Sequence, residues 1–466
     1  MTPTWSCRAD RSIRRPRGPP ESWRRQAAGQ ASKTACGAPA REHGARRGRP
    51  EEPAIQAQPK TSASHRPGLG ATRAVCYRCR WRAWPGQGAG TGSKLGRVPE
   101  ITEERFPWPP ASATGVGSLP GTDPVQAQRL VFGELPDLPH LAELPARGPG
   151  ADLTGRTAAL LVDLPVELTT TGWRFSARPG RDLRRALGFL SADLDALEEV
   201  ADGYQGPLKI QVCGPWTLAA TIELVRSQDP ALADPGAVAD LTASLAEGLA
   251  AHVAEVRMRV PGARIVVQVD EPALPAVIAG QVPTASRLNR LPIPEPADLE
   301  THLGSIVSAA RAFTLVHCCA LSVPFGIIKG AGAAGVGCDL GALARTVEEG
   351  LAEAVEAGLG VVAGVVPATG APGAPEPPPA DRAARVVTAL WQRLGWPVAR
   401  DGAAGPAKGE SEGGMGRRVG GGVPAQVVLA PGCGMAGATP GYARAAMECC
   451  RAAARLLPEL IEEERT

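Results

Sequence analysis

From about residue 111 onward, short apolar runs alternate with Ala-, Leu- and Glu-rich stretches of helical period, and this alternation constrains the fold more than any other feature. The candidate strands are 114–117, 158–164, 208–212, 264–269, 313–316, 335–338, 360–365 and 426–429. Amphipathic helices fit 182–201, 235–258, 297–312, 340–356, 380–394 and 441–457. Runs that are apolar throughout belong to strands buried on both faces, which means a parallel sheet with helices on either side. Eight such units over roughly 350 residues predict an α/β fold of the (β/α)8 TIM-barrel kind rather than an open doubly wound sheet. No GxGxxG or P-loop follows any strand, so nothing in the chain points to a nucleotide-binding unit.

The charge is unevenly spread. Residues 1–105 carry 21 Lys and Arg against 8 Asp and Glu, a balance of +13, whereas the remainder carries 29 against 39, a balance of −10. The leader has no apolar period of 2 or 3.6, so residues 1–108 read as a disordered basic Arg/Pro/Gly-rich extension and 109–466 as the barrel. Five of the nine Trp residues fall in that extension, Trp108 the last of them. Within the barrel, the Pro-rich stretch 369–379 and the Gly-rich stretch 398–423 cannot pack a core and read as disordered insertions. No run approaches the ~18 apolar residues of a membrane span. Eleven cysteines without regular spacing argue against a disulfide framework and for a reducing cytoplasm. Cys76 and Cys79 form a lone CxxC with no second pair at zinc-finger spacing.

Three candidate strands end in residues that can bind a metal. His317, Cys318 and Cys319 follow the first, Cys338 and Asp339 the second, and Cys433 the third. His317 and Cys319 are two apart on an extended segment and so point the same way, while Cys318 points into the packing between sheet and helices. With Cys433, and with Asp339 or Cys338 as a fourth donor, they suit a zinc ion with one position open to substrate. A single buried cysteine is equally well read as core. Asp270 and Glu271 end another strand, where one carboxylate should face the barrel axis and could hold a substrate ammonium group. Gly117 and Ser118 form a small-residue strand end that lets a ligand approach the backbone. The Cys213–Thr217 loop offers Trp216 either as a wall of the site or as part of a packed turn. His140 and His252 read as structural or surface residues, and Cys449 and Cys450 as core.

Five strand-end motifs, GSLPGT, CGPWTL, QVDEPAL, HCC and PGCGMAG, occur in an order that resembles the C-terminal catalytic barrel of cobalamin-independent methionine synthase. The resemblance spans about residues 111–460. It implies a zinc TIM barrel that transfers a methyl group to homocysteine, bound as thiolate, to give methionine. It further implies His317, Cys319 and Cys433 as zinc ligands, with Asp339 where the family has a ligating Glu, and Gly117, Ser118 and Asp270 as contacts to the amino-acid part of homocysteine. The methyl donor would be methylfolate or a methylcorrinoid. Three departures touch the folate half. DEPAL continues with Pro275 and Ala276 where the family has Arg and Glu, Thr221 stands where an indole is associated with folate, and Val365 stands near the catalytic His position. The extension also lacks the pattern of the family's additional N-terminal barrel. Two other readings compete: a metal-free barrel like uroporphyrinogen decarboxylase, and a non-catalytic zinc-stabilised barrel whose basic tail binds nucleic acid. The His-x-Cys and Cys-Gly segments speak against the first, and nucleic acid is not the expected partner.

Overall fold

Six parallel strands form one sheet in simple chain order: β3 (Pro207–Cys213), β4 (Arg264–Asp270), β5 (Phe313–His317), β6 (Gly335–Asp339), β7 (Gly360–Val366) and β8 (Val427–Pro431). A short antiparallel hairpin, β1 (Val166–Leu168) and β2 (Trp173–Phe175), precedes them. The computed structural model describes residues 105–371, 375–394 and 423–463. These lie in the unit that contains Glu103–Thr466. Residues 1–104, with Cys76 and Cys79, and most of the 398–423 insertion lie outside the described residues.

Helices alternate with the strands as the apolar period requires. They are α1 (Pro124–Glu134), α2 (Leu153–Ala158), α3 (Arg181–Val200), α4 (Pro215–Thr221), α5 (Pro235–Arg259), α6 (Leu274–Ile278), α7 (Pro296–Ala310), α8 (Phe325–Gly330), α9 (Glu348–Glu356), α10 (Ala380–Arg393), α11 (Val423–Gln426) and α12 (Pro440–Glu463). Capping fixes several starts. Asp123 accepts from Val125 N and Gln126 N at the head of α1, and Asp234 accepts from Gly236 N and Ala237 N at the head of α5, each just before a proline in the first turn. Among the described residues no helix is long and apolar enough to cross a membrane.

The strand period of two sorts the core into two layers. Ile265, Val267, Val269, Val316, Val361 and Leu429 face the helices and join Leu241, Leu245, Leu303 and Ala446 in the larger cluster. Val266, Leu315, Val362, Val428 and Ala430 face the other way and form a separate cluster with Phe106, Trp108 and Leu138. Phe106 and Trp108, expected within the extension, are therefore core residues. Their rings stack at 5.6 Å, Trp108 meets the edge of Phe313 at 5.0 Å, and its indole N–H donates to Ala425 O at 3.1 Å. Two aromatic rings in a Pro-rich stretch carry no period, so the sequence pattern did not reveal them as a plug.

Two expected strands are absent. Segment 158–164 is the end of α2 and a turn. The helix that Asp152 caps, by accepting from Gly155 N at 3.0 Å, runs into its first residue, and the chain then closes in a turn, with Leu160 N donating to Thr157 O at 2.9 Å. Segment 114–117 is not a strand either, but isolated parallel bridges flank it. Ala113 bridges Leu429 of β8, Ser118 bridges Glu143, and His140 bridges Lys209 of β3. The 139–143 segment thus lies where 158–164 was expected, with Leu141 N donating to Lys209 O and Lys209 N to Pro139 O, both at 2.9 Å. Gln128 of α1 holds its other side, donating to His140 O at 2.8 Å and accepting from Ala142 N at 3.0 Å.

Replacing Trp108 with Ala empties the plug under the inner cluster and should cost about 3–5 kcal/mol of unfolding free energy. Urea denaturation measures it, and a change under about 1 kcal/mol would show that the ring is not part of the core.

Candidate active site at the strand ends

Register sets the level of the site. Cys213 pairs with Asp270, Asp270 with His317, and His317 with Gly337, so four adjacent strands end side by side. Alternation sends Lys209, Gln211, Gln268, Asp270 and His317 to the inner face. The inner residues of β6 are Gly335, Gly337 and Asp339, and a methyl group at Gly337 would crowd the His317 ring at 3.1 Å. The glycine gives the imidazole its space.

These side chains form one buried polar chain. Lys209 Nζ donates to Gln268 Oε1 at 2.8 Å and to Val116 O at 3.0 Å. Gln268 Nε2 donates to Val116 O at 2.8 Å and to Asp270 Oδ1 at 2.7 Å, and the same Oδ1 lies 2.8 Å from His317 Nδ1. Toward a carboxylate oxygen, which only accepts, Nδ1 is the donor, and in the neutral imidazole this leaves the lone pair on Nε2. That Nε2 is buried and has no hydrogen-bond partner. Burial pulls the Lys209 ammonium down to about 7, against the pull of Asp270 and Glu143 in the opposite direction.

Cys319 and Cys433 meet across the strand ends, with their sulfurs 3.2 Å apart and no disulfide between them. Cys318 and Cys338 are packed in the helix-facing core, as the alternation predicts. The turn after β8 comes close to its neighbours because it is glycine-rich. A methyl at Gly432 would overlap the Asp339 carboxylate, and one at Gly434 the Ser118 hydroxyl. Met435 N also donates to Ser118 O at 2.8 Å. The structure therefore brings Cys319 to Cys433, His317 to Asp270, and Ser118 to the Cys433 turn. Asp339 Oδ1 instead accepts from Gly341 N at 2.9 Å within its own turn. Among the described residues, no group of three or more His, Cys, Asp or Glu is arranged to hold a metal ion as it stands. The donor chemistry fits zinc nonetheless: two thiols in contact and an imidazole nitrogen with an unused lone pair.

Glu143 and Lys209 escaped the sequence reading. Glu143 is buried beside Gly117, where a methyl would lie 3.3 Å from its Oε2. Burial pushes its carboxyl up to about 7, opposed by Arg156, whose Nε is 3.6 Å away. Gln211 Nε2 ties the same segment by donating to Leu141 O at 3.0 Å. A lysine inside a short run of Leu, Ile and Val was the available signal for Lys209. For Glu143 the signal was obscured by Pro136 and Pro139, which break the run before it.

Three further residues near the strand ends lie outside this polar chain. Glu271 points away from Asp270 and caps α4, its Oε1 accepting from Trp216 N at 2.9 Å and its Oε2 from Thr217 N at 2.8 Å and Thr217 Oγ1 at 2.6 Å. Trp216 belongs to the packed turn rather than a wall of the site. Its N–H donates to Leu299 O at 3.1 Å and its ring meets the edge of His302 at 5.4 Å. Val365 is buried in the bulge between Gly364 and Val366, and residues 365–370 (Val-Val-Pro-Ala-Thr-Gly) include no ionisable side chain.

Comparison with solved structures gives a partial likeness. A B12-independent methionine synthase from Shewanella sp. W3-18-1, solved in complex with selenomethionine, matches at a TM-score of 0.47 and 11% identity, over 76% of this chain and 100% of that one. At that level it supports no inference about substrate or metal. No family model and no curated protein matches the chain.

Lys209 makes stability depend on pH. Its folded value of about 7 lies below the ordinary 10.5, so the unfolded chain binds the extra proton between the two. Relative to Lys209→Met, the wild type should gain stability as pH rises from 7, by up to roughly 1.4 kcal/mol per unit, and lose it as pH falls through 7. Urea titrations at pH 6.5, 8 and 9.5 test this; a pH-independent difference would contradict it.

Proposed function

We propose that this chain is a zinc-dependent S-methyltransferase that methylates a thiol, with homocysteine as the acceptor and methionine as the product. The observation that carries the reading is the contact of Cys319 with Cys433 at 3.2 Å, together with the buried, unpartnered Nε2 of His317. In this reading the fold is a (β/α)8 barrel in which 112–118 and 139–143 take the first two strand places. The bridges from β8 to Ala113, from Ser118 to Glu143 and from His140 to β3 support that closure.

Cys319, Cys433 and His317 would hold the ion, with Asp339 as a fourth donor once released from its turn. Zinc at such donors supplies the positive charge that keeps an acceptor thiol deprotonated at neutral pH. The contact of Asp270 with Nδ1 would leave Nε2 as the nitrogen that holds the ion, and Gln268 and Lys209 keep Asp270 in place. Ser118 and the neighbouring carboxylates Asp270 and Glu143 suit the hydroxyl-bonded and cationic parts of an amino-acid substrate. A methylated tertiary amine such as methylfolate leaves only when protonated, which requires a general acid. The end of β7 has no group to provide one, and this favours a donor whose leaving group needs no proton, such as a methylcorrinoid.

Purified protein should contain one zinc per chain by elemental analysis, and Cys433→Ser should lose both the metal and methionine formation from homocysteine. Absence of zinc, or full activity in Cys433→Ser, would sink the reading. Asp270→Asn, which keeps the shape but weakens the hold on His317, should lower zinc affinity about 10- to 100-fold in a chelator competition. An unchanged affinity would show that the Asp270 contact does not orient a ligand.

A further inference from the structure

Away from the polar chain, a cavity of 340 Å³ lies between the segment that leaves β6 and one face of α10. Its walls divide by chemistry. Leu340, Leu343, Val386, Ala389 and Leu390 supply apolar surface, and Arg382, Arg385, Arg393 and Glu348 supply charge. Residues 382, 385 or 386, 389 and 393 follow the helical repeat, so the three guanidiniums rise from one face of α10.

The charges do not balance. Glu348 is engaged by Arg393, Nη2 to Oε1 at 2.8 Å and Nε to Oε2 at 3.4 Å, which holds its carboxyl below the ordinary range with help from Arg345. Arg382 and Arg385 are exposed and have no ion-pair partner among the described residues. Glu349 and Asp381, the acidic residues next to this region in sequence, are exposed and line none of the cavity. A solvent-facing helix usually intersperses opposite charges at the spacing of neighbouring turns. Here one face carries guanidiniums above an apolar floor, and the only carboxylate is already paired.

We propose that this cavity binds a small anionic molecule with an apolar body, its acidic group held by Arg382 and Arg385 and its apolar part set against Leu343, Val386 and Ala389. Two guanidiniums can take a carboxylate, sulfonate or phosphate through parallel N–H donors, a geometry that a lysine pair would not provide. Leu340 follows Asp339 directly in the chain, so a ligand here would sit beside the segment that leaves the strand end carrying Asp339.

The test uses the full chain, without added metal or thiol, so its outcome is independent of the zinc reading. The probe is 8-anilinonaphthalene-1-sulfonate, which joins one sulfonate to an apolar body. The wild type should bind it saturably, and more weakly as salt is raised. Arg382→Ala/Arg385→Ala should weaken binding about 10-fold with an unchanged melting temperature, since both side chains are exposed. Ala389→Phe, which fills the floor and keeps every charge, should weaken it by a similar factor. No saturable binding to the wild type, or an unchanged affinity in either variant, would overturn the assignment.

Discussion

The Asp270–His317 hydrogen bond is the contact around which the strand ends are organised. A carboxylate and an imidazole buried at the same level are costly unless paired, and the neighbouring strands supply partners for Asp270 and for the Nδ1 side of His317. Gln268 donates to Asp270 from two residues below, Lys209 steadies Gln268 from the next strand, and both reach Val116 O in the irregular segment that follows Ala113. One chain of donors therefore crosses β3, β4 and β5 and anchors a loop that no strand ladder holds. The register that aligns Cys213, Asp270, His317 and Gly337 makes this geometry possible, because a shift of one residue would turn every member of it toward the helices.

Around that chain, close approach is bought with glycine. Gly337 makes room for the imidazole, Gly432 for Asp339, and Gly434 for Ser118. Gly117 has a φ of +157° and admits Gln211 and Glu143 to its side. The strand ends thus carry small residues where backbones converge and functional side chains where they diverge. Glu271 shows the alternative fate of a strand-end acid. It follows Asp270 in sequence, faces the other side of the sheet, and serves as the cap of α4. Two adjacent carboxylates take unrelated roles because the strand period separates them.

Much of this was legible in the sequence, for a physical reason. The six strands and the long helices are buried on the faces that their apolar periods announce, so 208–212, 264–269, 313–316, 335–338 and 360–365 all fall within observed strands. The same alternation placed His317 and Cys319 on one face and Cys318 on the other. The failures have a common cause. Segment 139–143 makes only isolated bridges, is broken by proline, and is held partly by the side chain of Gln128, so its pairing leaves no period to read. The apolar run 158–164 had the right length for a strand but begins at the end of a helix and closes in a turn. Phe106 and Trp108 pack through three ring contacts in a stretch that is otherwise Pro-rich and charged. The contact of Cys319 with Cys433 joins residues 114 positions apart; only the order of the strand-end motifs hinted at it.

The asymmetry between the two sides of the strand-end region bears most directly on chemistry. From β3 to β5 the inner face is ionisable and densely hydrogen-bonded, with Lys209, Asp270 and His317 linked in sequence. From β6 to β8 it is nearly bare: Gly335 and Gly337, then Val362 and Gly364, then Val428 and Ala430, with Asp339 and Cys433 at the rim. The ionisable groups thus gather on one side of the region, and the sulfur contact joins that side to the other, Cys319 following β5 and Cys433 following β8.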